Sequence, residues 1–175
     1  MESCALPDAA LLRRYADGIG HTDCYAVDVP LDVDLARFVE AFYTGRVFKL
    51  ERLLLRWFAN RPSTDADARG VARGTQDAFA AWTVEAREPR QLLMCDMVGR
   101  TRSWFMVAPF AGGEQTFTRL YFGSAVVAVR DRATGTLHMG WAFRALLGFH
   151  RIYSRVLLSA AQSRVLRCLP RDPGP

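Results

Sequence analysis

The sequence has one lysine, Lys49, against 22 arginines, only three histidines, and no two cysteines in a C-x-x-C spacing. Each shortage excludes something. His21, His138 and His150 stand apart from Cys4, Cys24, Cys95 and Cys168, so no metal-ligand spacing arises, and neither a structural metal nor a cofactor is expected. No four consecutive residues are basic, and the arginines are spread from Arg13 to Arg171. The formal net charge of +5 is therefore not gathered into runs interleaved with aromatics, and nucleic-acid binding is not expected. No segment approaches the roughly 18 uninterrupted apolar residues of a membrane span. Met1 to Tyr15 carries Glu2 and Asp8 and lacks the positive, apolar, small-residue succession of a secretory signal. Cys24 and Cys95 sit in apolar, strand-like stretches where a thiol behaves as a small hydrophobe, so a reducing compartment, the cytoplasm, is expected.

What remains is a chain of 175 residues, 50% hydrophobic, long enough to bury a core without staples. One domain is expected over residues 1–170, with a flexible tail at 171–175. After one or two helical turns around Pro7 to Tyr15, Thr22 to Val29 alternates at period two and predicts a strand ended by Pro30. Asp32 or Asp34 then caps a helix whose apolar residues Leu35, Phe38, Val39 and Phe42 share one face, closed by Gly45. A second helical pattern, Val47 to Phe58, ends before Pro62. Ser63 to Asp77 is polar and reads as a linker or lid, with Ser63 or Thr64 able to cap a helical turn.

From Ala78 the pattern is that of strands. Ala78 to Arg87, Arg90 to Met97, Arg100 to Pro109 and Glu114 to Val129 are joined by short turns and predict an antiparallel meander. If Glu88-Pro89 and Val98-Gly99 are two-residue turns, Val84 opposes Leu93 and Leu93 opposes Trp104. One face then holds Trp82, Val84, Ala86, Leu93, Cys95, Trp104 and Met106, taken as the core side, while Glu85, Leu92, Met94, Asp96, Ser103 and Phe105 lie opposite. Between Gly140 and Pro170 a helical pattern places Arg144, Arg151, Arg155 and Gln162 on one line and Ala142, Leu146, Phe149, Tyr153, Leu157 and Ala160 opposite, with a bend or close contact near Gly148. The apolar side is expected to press onto the core side of the sheet.

Strand, two helices, antiparallel meander and long final helix form the order of the helix-grip fold, an α+β architecture, and over Thr22 to Cys168 the chain resembles the START-like superfamily of lipid-transfer domains and polyketide cyclases. The stretches Ala81-Trp82-Thr83-Val84, Arg102-Ser103-Trp104, Leu120-Tyr121-Phe122-Gly123-Ser124-Ala125 and Gly148-Phe149-His150-Arg151 with Tyr153 look like those of an uncharacterised bacterial branch. The resemblance departs in strand number, four after the helix pair where six are usual, unless Glu114 to Val129 breaks at Gly123 and Thr136 to Met139 adds another.

The resemblance implies a cavity between sheet and final helix, a setting suited to a hydrophobic or aromatic small molecule or a lipid. Trp82, Arg102, Trp104, Met106, Tyr121, Leu146, His150 and Tyr153 are the expected lining; the same residues equally suit a packed core. Arg102 either pairs with a ligand anion or stacks on Trp82. His150 either moves a proton, as a cyclase, dehydratase or isomerase would need, or is a hydrogen-bonded core histidine. A third reading is an interaction module without ligand, with the arginine stripe facing a partner or the first strand's edge forming a homodimer.

Overall fold

The computed structural model describes residues 1–17, 20–45, 48, 63–112, 115–127, 129–130, 137–138 and 141–167, with side chains outside that description at 129–130, 137–138 and 141–153. Strands β1 (Glu2–Ser3) and β2 (Gly20–Val29) flank a 3-10 turn at Leu11–Tyr15. Helices α1 (Leu35–Tyr43) and α2 (Asp65–Arg73) precede β3 (Ala78–Phe79), β4 (Trp82–Glu88), β5 (Gln91–Asp96), β6 (Thr101–Gly112) and β7 (Gln115–Val127). A separate pair, β8 (Val129–Arg130) and β9 (Leu137–His138), leads to α3 (Trp141–Arg167). The first seven strands form one antiparallel sheet in the order β1-β2-β7-β6-β5-β4-β3, so the fold is α+β. β7 runs unbroken through Gly123, and the strand within Thr136 to Met139 pairs with β8 outside the main sheet. Among the described residues no helix is long and apolar enough to cross a membrane.

The apolar face of α1 is fixed by Asp34, whose carboxylate accepts the Arg37 N–H at 2.6 Å, and buries Phe38, Val39 and Phe42 against the sheet. Phe42 meets Phe105 edge-on at 4.8 Å between ring centroids and lies 4.7 Å from Phe122. Leu157, Leu158, Ala161 and Val165 of α3 join the same core. The second helical pattern, Val47 to Phe58, lies outside the described residues except for Phe48, which is buried in this core. The segment expected as a linker or lid is instead α2, nucleated by a capping box between Thr64 and Asp67, ended by Gly74 at φ 76°, and packed through Ala68, Val71 and Ala72.

Two corrections concern the sheet. The turn between β4 and β5 is Pro89-Arg90, with Glu88 opposite Gln91, because proline fits the first central position of a turn and is disfavoured at the second. A bulge then leaves Glu85 between the pairs Val84 with Met94 and Ala86 with Leu93, so Trp82 and Val84 turn to one face and Ala86 to the other. Leu93 does oppose Trp104. The side packed against α1 and α3, however, is the one bearing Leu92, Met94 and Phe105. Leu93, Trp104 and Ala125 face the other way and are covered by Ala10 and Leu12 of the N-terminal segment. Both faces are apolar because both are covered, which removes the alternation that would have told them apart. Gly123 leaves room for the cover: an added Cβ would lie 2.9 Å from Leu12 Cδ2 and 3.0 Å from Trp104 Cε3.

Candidate functional site at the sheet edge

Among the described residues, the expected lining side chains do not converge. Trp82 packs on the α1 and α3 side, whereas Trp104, Met106 and Tyr121 lie beneath the N-terminal segment on the opposite face. Leu146, His150 and Tyr153 fall within α3, but their side chains lie outside the described residues.

Arg102 neither stacks on Trp82 nor stands free. Its Nε donates to Glu85 Oε2 at 2.9 Å, its guanidinium sits 4.7 Å from the Tyr15 ring centroid, and its NH1 group donates to the Gly99 carbonyl. Glu85, expected on the far face and solvated, is brought here by the bulge and also accepts the Tyr15 hydroxyl. Burial, followed by this hydrogen bond, raises the Tyr15 pKa. Trp104 donates its indole N–H to Gln91 Oε1 at 2.9 Å, and the same oxygen accepts the Leu11 amide at 2.9 Å. Arg119 makes two bonds of 2.7 Å to the carboxylate of Asp28, its partner across the β2-β7 ladder. These groups fasten the fold and have little capacity left for a ligand.

Open polar capacity is found instead at the edge of β2. β1 pairs only with Tyr25 and Ala26, and beyond it the Cys4 N–H donates to the Cys24 carbonyl at 3.0 Å. Where that pairing stops, the first half of β2 borders a groove of about 650 Å³ between the N-terminal segment and α3. His21 and Asp23 lie two residues apart on β2 and so share a face. Asp23 Oδ1 accepts both the amide and the hydroxyl of Ser124, but Asp23 Oδ2 and His21 Nε2 are buried without a hydrogen-bond partner among the described residues. Arg155 reaches the groove from α3, exposed, with its guanidinium 5.7 Å from the Tyr25 ring centroid. Arg13 lines the other wall, bonded to exposed Asp8 at 2.8 Å. Leu6, Ala5 and Ala16 supply apolar surface.

His21 and Asp23 are not among the residues expected from the sequence to form a site. The available signal was their period-two spacing at the polar start of an otherwise apolar strand, which places two hydrogen-bonding side chains on the face toward the helices. Among the described residues no group of three or more histidine, cysteine or acidic side chains is placed to hold a metal ion. Comparison with protein-family models gives no match, and comparison with curated proteins gives none either.

Proposed function

We propose that this chain is a cytoplasmic protein of the helix-grip type, related to the START-like superfamily, that binds a small molecule with an apolar or aromatic body and an anionic head. We place that molecule in the edge groove rather than between sheet and final helix. The order of elements supports the fold assignment: the first long strand lies beside the last strand of the meander, and α3 packs on the same face as α1.

The observation that carries the binding reading is the pair of buried atoms, His21 Nε2 and Asp23 Oδ2, without a hydrogen-bond partner among the described residues, in the wall of a groove that also holds Arg155. Buried polar atoms are almost always hydrogen-bonded, so a pair left over beside an open volume is a recognition surface awaiting a partner. Asp23 Oδ2 can accept from a donor once its side chain turns toward the groove, exposed Arg155 can pair with an anion in place of water, and Leu6 with the Tyr25 ring offers apolar contact. A ligand with an acidic group, a nearby N–H or O–H and an apolar body meets all three requirements. The volume of about 650 Å³ lies within the range of small-molecule sites.

Anilinonaphthalene sulfonate has these features and serves as the probe. Fluorescence titration should saturate at one site, with affinity reduced about tenfold by Arg155→Ala and by Asp23→Asn, and unchanged by Met106→Leu on the opposite face. Non-saturating binding, or binding indifferent to Arg155 and Asp23, would reject the groove as the site. Native mass spectrometry of the chain purified from its own host then identifies the retained molecule.

A further inference from the structure

The four cysteines are far apart in sequence, yet the fold makes neighbours of two. The β1-β2 register pairs Ser3 with Tyr25, and one step further Cys4 stands opposite Cys24. Cys4 Sγ lies 3.3 Å from Cys24 Sγ, in hydrogen-bond contact, and both thiols are free. A disulfide needs a sulfur separation of about 2.05 Å and Cβ atoms about 4 Å apart. Side-chain rotation of little more than an ångström at sulfur therefore separates the dithiol from the bonded state. Cys95 offers a contrast: its Sγ is directed to the Asp96 carbonyl.

The two thiols differ in access. Cys4 is partly exposed and Cys24 is buried, and both line the edge groove, which admits a small reagent. We propose that Cys4 and Cys24 form a reactive dithiol that closes to an intramolecular disulfide on exchange with a low-molecular-weight disulfide of the glutathione class. In the first step the Cys4 thiolate attacks one sulfur of the oxidised reagent, the reagent's S–S bond breaks, and one reagent thiolate leaves and takes up a proton. In the second, the Cys24 thiol loses its proton as its sulfur attacks the Cys4 sulfur of the mixed disulfide, and the second reagent thiolate is expelled and takes up that proton. Two protein thiols are oxidised and one reagent disulfide is reduced to two thiols. Burial and the hydrogen bond to Cys4 push the Cys24 thiol well above the ordinary thiol range, which keeps it protonated and assigns the opening attack to Cys4.

Closure ties the N-terminal segment, with its 3-10 turn, to the edge of β2. In a reducing compartment such a bond is a transient redox state rather than a permanent staple. The proposal does not depend on whether the groove holds a small molecule.

The test uses the full, reduced chain incubated with oxidised glutathione, quenched in acid and read by intact mass and tryptic mapping. The expected product has lost two hydrogens, links the segment from Met1 to Arg13 with that from Tyr15 to Arg37, and melts roughly 5–10 °C higher than the reduced chain. Cys24→Ser should trap one glutathione on Cys4, and Cys4→Ser should leave Cys24 unmodified in the folded chain. A wild-type chain that remains unreacted, stops at the mixed disulfide, or links through Cys95 or Cys168 would overturn the proposal.

Discussion

The indole N–H of Trp104 and the side-chain oxygen of Gln91 meet at 2.9 Å beneath the N-terminal segment, with Gln91 opposite Glu88 at the hairpin and Trp104 one strand further in. Gln91 also accepts from Leu11 N and donates to the Ala9 carbonyl at 2.9 Å, so one amide joins the cover to the sheet. Gln91→Leu leaves an indole donor, a backbone donor and a backbone acceptor without their partner. A loss of about 3 kcal/mol is expected in urea unfolding, since each stranded buried group costs about 1–3 kcal/mol and part is recovered by water. Amide exchange at Leu11 should accelerate in the variant while exchange in β7 falls no further than the global change requires.

The pair Arg102 and Glu85 is mostly shielded, with side chains 13% and 21% exposed. Glu85→Gln removes a charge-assisted bond and is expected to cost about 1.5–3 kcal/mol. A double-mutant cycle with Arg102→Met should give a coupling of at least about 1 kcal/mol, measured by the same unfolding assay.

Tyr15 adds an alkaline limb. Its folded pKa is raised by burial first and by the bond to Glu85 second, so the folded state favours the neutral phenol. The resulting stability is fully present below the ordinary tyrosine value of about 10 and is lost as pH rises above it toward the folded value. Tyr15→Phe should flatten that limb in a stability-versus-pH series.

At the other end of the pH scale, Arg119 holds the Asp28 carboxyl below its ordinary range, chiefly through their hydrogen bonds. The contribution is present above the unfolded carboxylate value of about 4 and declines as pH falls through the folded value. Both side chains are over a third exposed, so the pair is worth little, and Asp28→Asn should lower the neutral-pH midpoint only slightly while reducing the acid slope. Titration of the Asp28 carboxyl by NMR gives the direct check.

In α2, Thr64→Ala removes the side chain that accepts the Asp67 amide at 3.2 Å, and about 1 kcal/mol should be lost. Gly74→Ala forces a Cβ onto a residue at φ 76° and should cost a similar amount, although nothing lies closer than 3.6 Å to the added carbon. Helix-resolved exchange over Asp65–Arg73 distinguishes local fraying from global loss.

Much of the local structure was legible. β2 and α1 follow from alternation, from the i, i+3, i+4 pattern of Leu35, Phe38 and Val39, and from Asp34 as cap. The pairing of Leu93 with Trp104 follows from a short turn. The bulge at Glu85 has no local marker, and it alone separates Trp82 from Ala86. Which apolar face receives the helices is a tertiary choice, because Leu92 and Leu93, adjacent in β5, are both wholly buried on opposite sides. The edge groove was hidden for a similar reason: it arises from how far β1 extends along β2, and no residue of β2 records where its neighbour stops.

The N-terminal cover has a bearing on biosynthesis. Leu11 finds its acceptor 80 positions later, and Leu12 rests on a glycine of β7, so a segment synthesised before the strands it covers can be seated only after most of the sheet has been made. Until then the outer side of β5, β6 and β7 is bare oil facing water, and a nascent chain arrested before Val127 is the form in which this protein would most readily aggregate or engage a chaperone.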